Sequence, residues 1–269
     1  SSFEIYEPKK RNISAAVFRD RVVHHALCNI IEPIFNKSMI YDSYACRKGR
    51  GSHAAVKRTQ RFTRKFSYFL KCDIKKYFEN INHNLLKTML GKKLKDPLLM
   101  ELLNKIIDHP VPGGNPGIGI PIGNLTSQLF ANIYLNELDL FIKEEMHIKG
   151  YVRYMDDFIL FAHDKKSLNQ CLNEIHWFTV EKLFIELKQS VLMLAPVTQG
   201  VPFLGFRIFP QVIRLKKENL KKFGNNLKKR KKEYETGVID QECLIRSISS
   251  MVAHASHADT YLLRRKIFY

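Results

Sequence analysis

Tyr151-Val152-Arg153-Tyr154-Met155-Asp156-Asp157-Phe158-Ile159-Leu160-Phe161-Ala162 is apolar except for Arg153 and the acidic pair at its middle. Both flanks are rich in β-branched and aromatic residues, so the stretch reads as two strands meeting at Asp156-Asp157. An Asp-Asp pair taken alone is usually a solvated turn. A solvated turn is not normally sandwiched between two apolar strands, and adjacent carboxylates repel unless a cation sits between them. A third carboxylate, Asp73, ends another apolar run, through Tyr68, Phe69, Leu70 and Cys72. Three acids at strand ends are what two-metal phosphoryl transfer needs, with the ions about 3.5–4 Å apart. No His or Cys has the spacing of a zinc site, and magnesium prefers oxygen ligands.

Around these strands the chain is mixed. Phe3, Ile5 and the segment 12–16 read as a hairpin around a basic cluster. From Asp20 a helix is predicted on Val23, Leu27, Ile30 and Ile34, with Pro33 near its end. Residues 43–52 form a basic loop, and a basic helix runs on to about Lys65. The segment 83–109 reads as one or two helices broken at Pro97. Residues 110–121 hold four Gly and four Pro, a turn-rich loop, and Asn124 can cap a helix running toward Glu144. Phe203 to Phe209 is a further strand candidate.

The chain has 269 residues, carries 44 Lys plus Arg against 26 Asp plus Glu, and has a net charge of +18. Such an excess points to a polyanion, since each neutralised phosphate releases a counterion. An acidic membrane surface is the competing partner, but no apolar run approaches the roughly 20 residues that span a bilayer. The excess is concentrated: between Arg214 and Lys232 lie ten basic residues and one acid, Glu218. Leu220, Phe223, Leu227 and Tyr234 give that segment an amphipathic helical pattern with a positive outer face. The five cysteines are scattered and odd in number, which argues for a reducing compartment; a cytoplasmic location is expected. The chain starts without Met and enters patterned sequence at once, as one lacking its first segment would.

Tyr154-Met155-Asp156-Asp157 resembles the signature box of reverse transcriptases, and Lys71-Cys72-Asp73-Ile74 with Phe78 resembles their first catalytic box. The likeness runs in order from Pro8-Lys9 and Arg19-Asp20-Arg21 to Phe203-Leu204-Gly205-Phe206. Where most bacterial relatives, such as group II intron enzymes, carry Pro-Gln-Gly-x-x-x-Ser-Pro, this chain has Pro121-Ile122-Gly123-Asn124-Leu125-Thr126-Ser127-Gln128. That variant resembles reverse transcriptases of diversity-generating retroelements. The segments Arg19 to His25 and Asp42 to Arg47 fit the same group.

The resemblance implies an α+β right-hand polymerase fold, divided as fingers in part (1–66), palm (67–82), fingers and palm helices with a loop (83–122), palm (123–210) and a short helical thumb (211–269). It implies an RNA-directed DNA polymerase, using two magnesium ions with manganese as a substitute. The work expected is error-prone copying, at adenines, of a template-repeat RNA onto a DNA or RNA primer with deoxynucleoside triphosphates. A small basic accessory protein is the expected partner, and no membrane. A group II intron-like or phage-defence reverse transcriptase is the alternative within the class. A non-catalytic RNA-binding protein with a polymerase fold is the alternative outside it. A viral RNA-dependent RNA polymerase fits less well, since it typically carries Gly-Asp-Asp and a smaller residue at the position of Phe78.

Residue by residue, the resemblance makes Asp73, Ile74, Asp156 and Asp157 the metal-holding positions. Lys188 would protonate pyrophosphate, though it reads equally as a surface lysine. Lys9 and Arg11 would contact the incoming triphosphate. Phe78 would gate against the ribose 2′-hydroxyl, and it also suits core packing. Ile122 and Gly123 would flank the nascent base pair, although a helix entry and a turn explain them as well; Ile lacks the polar contact that Gln offers, which predicts lower fidelity. Template and primer would meet Arg47, Lys48, Arg50, Gln128, Tyr154, Met155, Leu204, Gly205, Lys221 and Lys228. The alternation around Leu204 is as good for a plain core strand.

Overall fold

The structure is a computed structural model; it describes residues 2–5, 11–14, 16–111 and 113–268, and the side chains of 2–5, 11–12, 263 and 266–268 lie outside that description. Its centre is a four-stranded antiparallel sheet of order β4-β5-β3-β6, formed by β3 (Tyr68–Asp73), β4 (Gly150–Tyr154), β5 (Asp157–Ala162) and β6 (Met193–Pro196). Alternation gives this sheet two apolar faces. Leu70, Cys72, Tyr151, Phe158 and Leu160 belong to the larger core, beneath helices α1 (Phe18–Asn36), α5 (Leu125–Leu140) and α6 (Lys165–Glu181). Phe69, Val152, Ile159, Phe161 and Ala195 belong to the second, beneath α2 (Ser52–Lys65) and a three-stranded sheet. Each large side chain so buried contributes about 1.5–3 kcal/mol.

The three-stranded sheet is β7 (Val201–Phe203), β8 (Phe206–Ile208) and β9 (Ile213–Leu215) in sequence order. The expected single strand from Phe203 is thus a hairpin. Leu204 (φ 47°) and Gly205 (φ 86°) both take positive φ, the geometry of a tight primed turn, and pair Phe203 with Phe206. β9 lies past position 210, so the sheet begun at Val201 continues into the segment expected to be thumb. After it come three helices, α7 (Lys217–Glu235), α8 (Gln241–Ala255) and α9 (Tyr261–Phe268).

An N-terminal hairpin, β1 (Ser2–Ile5) with β2 (Arg11–Ser14), forms as expected. Pro97 starts α4 (Pro97–Ile107), separating it from α3 (His83–Gly91). In α1 the buried positions are His24, Leu27, Cys28, Ile31 and Phe35, whereas the expected Val23, Ile30 and Ile34 are exposed or half-exposed. The helix offers two apolar stripes, and packing against α5 selects the one bearing smaller Cys28. Pro33 sits inside this helix, which runs on to Asn36. Asn124 stands at the start of α5, but its Oδ1 accepts from the Ala16 amide at 3.1 Å instead of capping.

Candidate active site

Pairing of β3 with β5 sets Asp73 directly opposite Asp157. Opposed residues project from one face of a sheet with Cα atoms about 4.5–5.5 Å apart. Lys71, two residues earlier, shares that face. Its Nζ donates to both carboxylate oxygens of Asp157 at 2.7 Å and lies 5.8 Å from the centre of the Phe203 ring. Between β4 and β5 the turn consists of Met155 and Asp156. Met155 takes φ 57°, a left-handed conformation costing a side-chain-bearing residue about 1–2 kcal/mol. The Asp156 carbonyl accepts from the Ile74 amide at 3.3 Å, tying the turn to the end of β3.

Burial pushes the Asp157 carboxyl up to about 6; Lys71 opposes the shift, and Asp73 and Asp156 reinforce it. Loss of solvent around Asp157 thus outweighs the lysine, and the carboxylate is costly to keep charged with the protein's own groups alone. Among the described residues no three His, Cys, Asp or Glu side chains form a ready-made metal cage. Magnesium does not need one, because it takes one or two carboxylates and completes its shell with water and substrate phosphates. Asp73 and the 156–157 turn fit a site of that open kind.

A second strand-like segment closes the same end. Leu187 bridges Ile74, the Lys188 amide donates to the Asp73 carbonyl at 2.8 Å, and the Lys75 amide donates to the Glu186 carbonyl at 2.9 Å. Lys188 is therefore anchored beside Asp73 through its backbone.

Beneath the turn, on the opposite face, Arg153 and Asp139 are fully buried. Arg153 Nε and an Nη atom donate to the two Asp139 oxygens at 2.7 and 2.6 Å. The other Nη donates to Asn132 Oδ1 at 3.1 Å and to the Met155 carbonyl at 3.0 Å. The Tyr151 hydroxyl donates to Asp139 at 2.7 Å. The backbone of Arg153 is held by Asp42 and Tyr44, and buried Asp42 pairs with Arg58 at 2.7 Å. The sequence marked Arg153 only as a polar break and Lys71 only as part of the box around Asp73, with no role for either, and gave no sign of Asp139. The available signal was a charged residue inside an apolar strand, two positions before a strand-end carboxylate.

Phe78 lies in a short 3-10 helix, Tyr77–Glu79, half-buried against the larger core. Its carbonyl accepts from the Ile120 amide at 2.8 Å, which ties the Pro-Gly loop to the segment after Asp73. Farther along that loop the Ile122 carbonyl accepts from the Ser14 amide at 2.8 Å, docking the N-terminal hairpin. Gly123 has φ +124°, and a Cβ there would meet Ile13 at 2.9 Å and the Ser14 carbonyl at 3.1 Å. Only glycine fits this approach. Gln128 lines a small cavity with Arg21, His24, His25 and Asn124.

Lys9 lies outside the described residues; the backbone of Arg11 pairs with Ile5, and its side chain lies outside the description. Arg47 is turned inward, donating to Asn36 and to the carbonyls of Ile40 and Ser43 at 2.7–2.8 Å. Arg50 stacks 3.9 Å from the centre of the Tyr41 ring, and Lys48 is exposed. Tyr154 belongs to the same hairpin as the acidic pair, Leu204-Gly205 form the β7–β8 turn, and Lys221 and Lys228 are exposed on α7. Among the described residues no helix is long and apolar enough to cross a membrane.

Residues 7–208 match the family described as "Reverse transcriptase (RNA-dependent DNA polymerase)". The group II intron-encoded protein LtrA of Lactococcus lactis subsp. cremoris is 25% identical, over 82% of this chain and 47% of its own length. Protein YkfC of Escherichia coli K12 is 26% identical, over 76% of this chain and 65% of its own. The chain therefore spans about half to two thirds of these relatives. Among solved structures, telomerase from Candida tropicalis lacking its C-terminal domain superposes with a TM-score of 0.61 at 14% identity, covering 80% of this chain and 54% of that one. That likeness concerns the right-hand polymerase fold.

Proposed function

Because the chain belongs to the reverse transcriptase family and carries its fold, we propose that it extends a primer 3′-end with deoxynucleotides on an RNA template. The carrying observation is the opposition of Asp73 and Asp157 beside the turn at Asp156, at one end of the central sheet. Asp73 and Asp156 are the residues that would hold divalent ions, with Ile74 adjoining them, and Asp157 is steadied by Lys71. Such ions, when bound, supply Lewis acidity to the attacking hydroxyl and to the triphosphate. Lys188, held beside Asp73, serves as the proton donor toward the leaving pyrophosphate. Phe78 blocks the 2′-hydroxyl of a ribonucleotide, and Ile122 with Gly123 packs beside the new base pair. Lys48, Arg50, Lys221 and Lys228 contact template and primer phosphates, which position a duplex without reading its sequence. We take the segments up to about 66 as fingers and the helices α7–α9 as thumb.

Two finer readings differ in the RNA copied. The intron-encoded relative favours an intron-type enzyme. The segment Pro121 to Gln128 favours a mutagenic retroelement type, because Ile122 replaces a polar contact that checks base-pair geometry. Extension of a DNA primer on a defined RNA, followed by sequencing of the product, tests both levels. Product that depends on Asp156 supports the polymerase, and its absence with magnesium or manganese sinks it. Errors concentrated opposite template adenine that fall on Ile122→Gln support the mutagenic type; an even, low error rate unchanged by Ile122→Gln favours the intron type.

A further inference from the structure

Arg207 of β8 stands directly opposite Arg214 of β9, and both are exposed. Like charges directly opposed across two strands destabilise the pair. Among the described residues neither arginine forms an ion pair. Each is nevertheless held in place. Arg207 Nε donates to the Gln199 carbonyl at 2.9 Å, and the Arg214 guanidinium lies 5.4 Å from the centre of the Phe209 ring. Gly200 (φ +79°) underlies the arrangement, because a Cβ there would meet the Phe209 ring at 2.5 Å and the Arg207 stem at 2.9 Å. Lys216 and Lys217 continue the same wall, and Glu218 is its one carboxylate, around a groove of about 470 Å³. The opposite face of this sheet, with Phe206, Ile208 and Ile213, is buried in the second core. The groove therefore opens on the side of the sheet that faces away from that core and from the strand bearing Asp73.

We propose that this groove binds a single-stranded stretch of RNA outside the polymerising cleft. Phosphates lie between the forks of Arg207 and Arg214, and a base lies against Phe209. Arginine forks match phosphate oxygens in bidentate fashion, and an aromatic face between cations is how single strands are held without sequence reading. An acidic peptide would satisfy the charges but would make no particular use of the half-buried Phe209 ring that lines the groove. The inference rests on the reading of the chain as an RNA-copying enzyme, since the strand held here is the template outside the few nucleotides at the site.

The test uses poly-uridine RNA, the whole chain, and the substitutions Arg207→Glu and Arg214→Glu, each made singly. Each lowers RNA affinity by about tenfold or more, and the slope of log affinity against log salt falls by about 0.7 for each phosphate that is no longer neutralised. Each also sets a carboxylate opposite an arginine, so the thermal midpoint holds or rises, which simple misfolding would not produce. Extension on a short template–primer duplex that does not reach the groove keeps its kcat. Unchanged RNA affinity and salt slope overturn the proposal, as does an equal loss of affinity for the short duplex. Better competition by poly-glutamate or by anionic vesicles than by RNA overturns it as well. If the unmodified chain fails to extend any primer while RNA binding still depends on Arg207, the polymerase reading falls and the groove stands.

Discussion

Arg153 of β4 and Asp139 of α5 lie on one face of the central sheet; Lys71 and Asp73 of β3 and Asp157 of β5 lie on the other. The first group is closed. Both charges are fully buried, both carboxylate oxygens of Asp139 are bonded, and the guanidinium reaches Asn132 and the Met155 carbonyl besides. Burial alone would lower the Arg153 guanidinium, but Asp139 outweighs it and holds it above its ordinary range. The second group is open. Burial raises Asp157 to about 6 in spite of the lysine on one side, and two further carboxylates add to the shift. A buried charge completed by the chain positions structure, whereas a desolvated carboxylate beside two others is the kind of group that functional sites collect. Arg153 joins the two, because the carbonyl it holds belongs to the turn that carries Asp156.

The contrast predicts opposite responses to neutralisation. Asp73→Asn is expected to lower primer extension by about 10⁴-fold, near 5 kcal/mol of transition-state stabilisation. Its thermal midpoint stays level or rises, since a repelling charge has gone; a midpoint that drops by several degrees would break the comparison. Arg153→Met acts the other way. It leaves Asp139 buried without its cation and is expected to cost about 3–5 kcal/mol in urea unfolding. Combining it with Asp139→Leu recovers much of that loss, and failure to recover would mean that the pair is not an isolated unit. Lys71→Met lies between the two, removing the lysine that Asp157 holds, at an expected cost of about 1–3 kcal/mol. Added magnesium raises the thermal midpoint of this variant more than that of the parent if the cluster accepts a cation; equal shifts would sink that idea. Smallest of all, Lys105→Met at the exposed Glu101–Lys105 helix pair leaves the midpoint unchanged within measurement.

Much of the site was legible because it is local in sequence. Asp156-Asp157 between apolar flanks announced a hairpin, and Asp73 at the end of an apolar run announced a strand terminus. Other features were hidden for identifiable reasons. Leu204-Gly205 reads as strand because leucine seldom takes positive φ, so the turn is visible only once β7 and β8 are paired. Strands β6 and β9 are short, at four and three residues, and carry too little periodicity to be read. The inward direction of Arg47 follows from the loop wrapping back on Asn36, Ile40 and Ser43. In α1 two apolar stripes were equally good on paper, and α5 chose between them.

Residue type and order determined the chemistry of this protein: the carboxylates, the basic excess, the aromatic at position 78 and the isoleucine at 122 are all written in the chain. Pairing across 86 positions, which joins Lys71 to Asp157, and across 14, which joins Arg153 to Asp139, was decided only in the folded molecule. The reason is physical. Propensity and alternation act over a few residues, but whether a buried charge is completed depends on which distant segments share its surroundings.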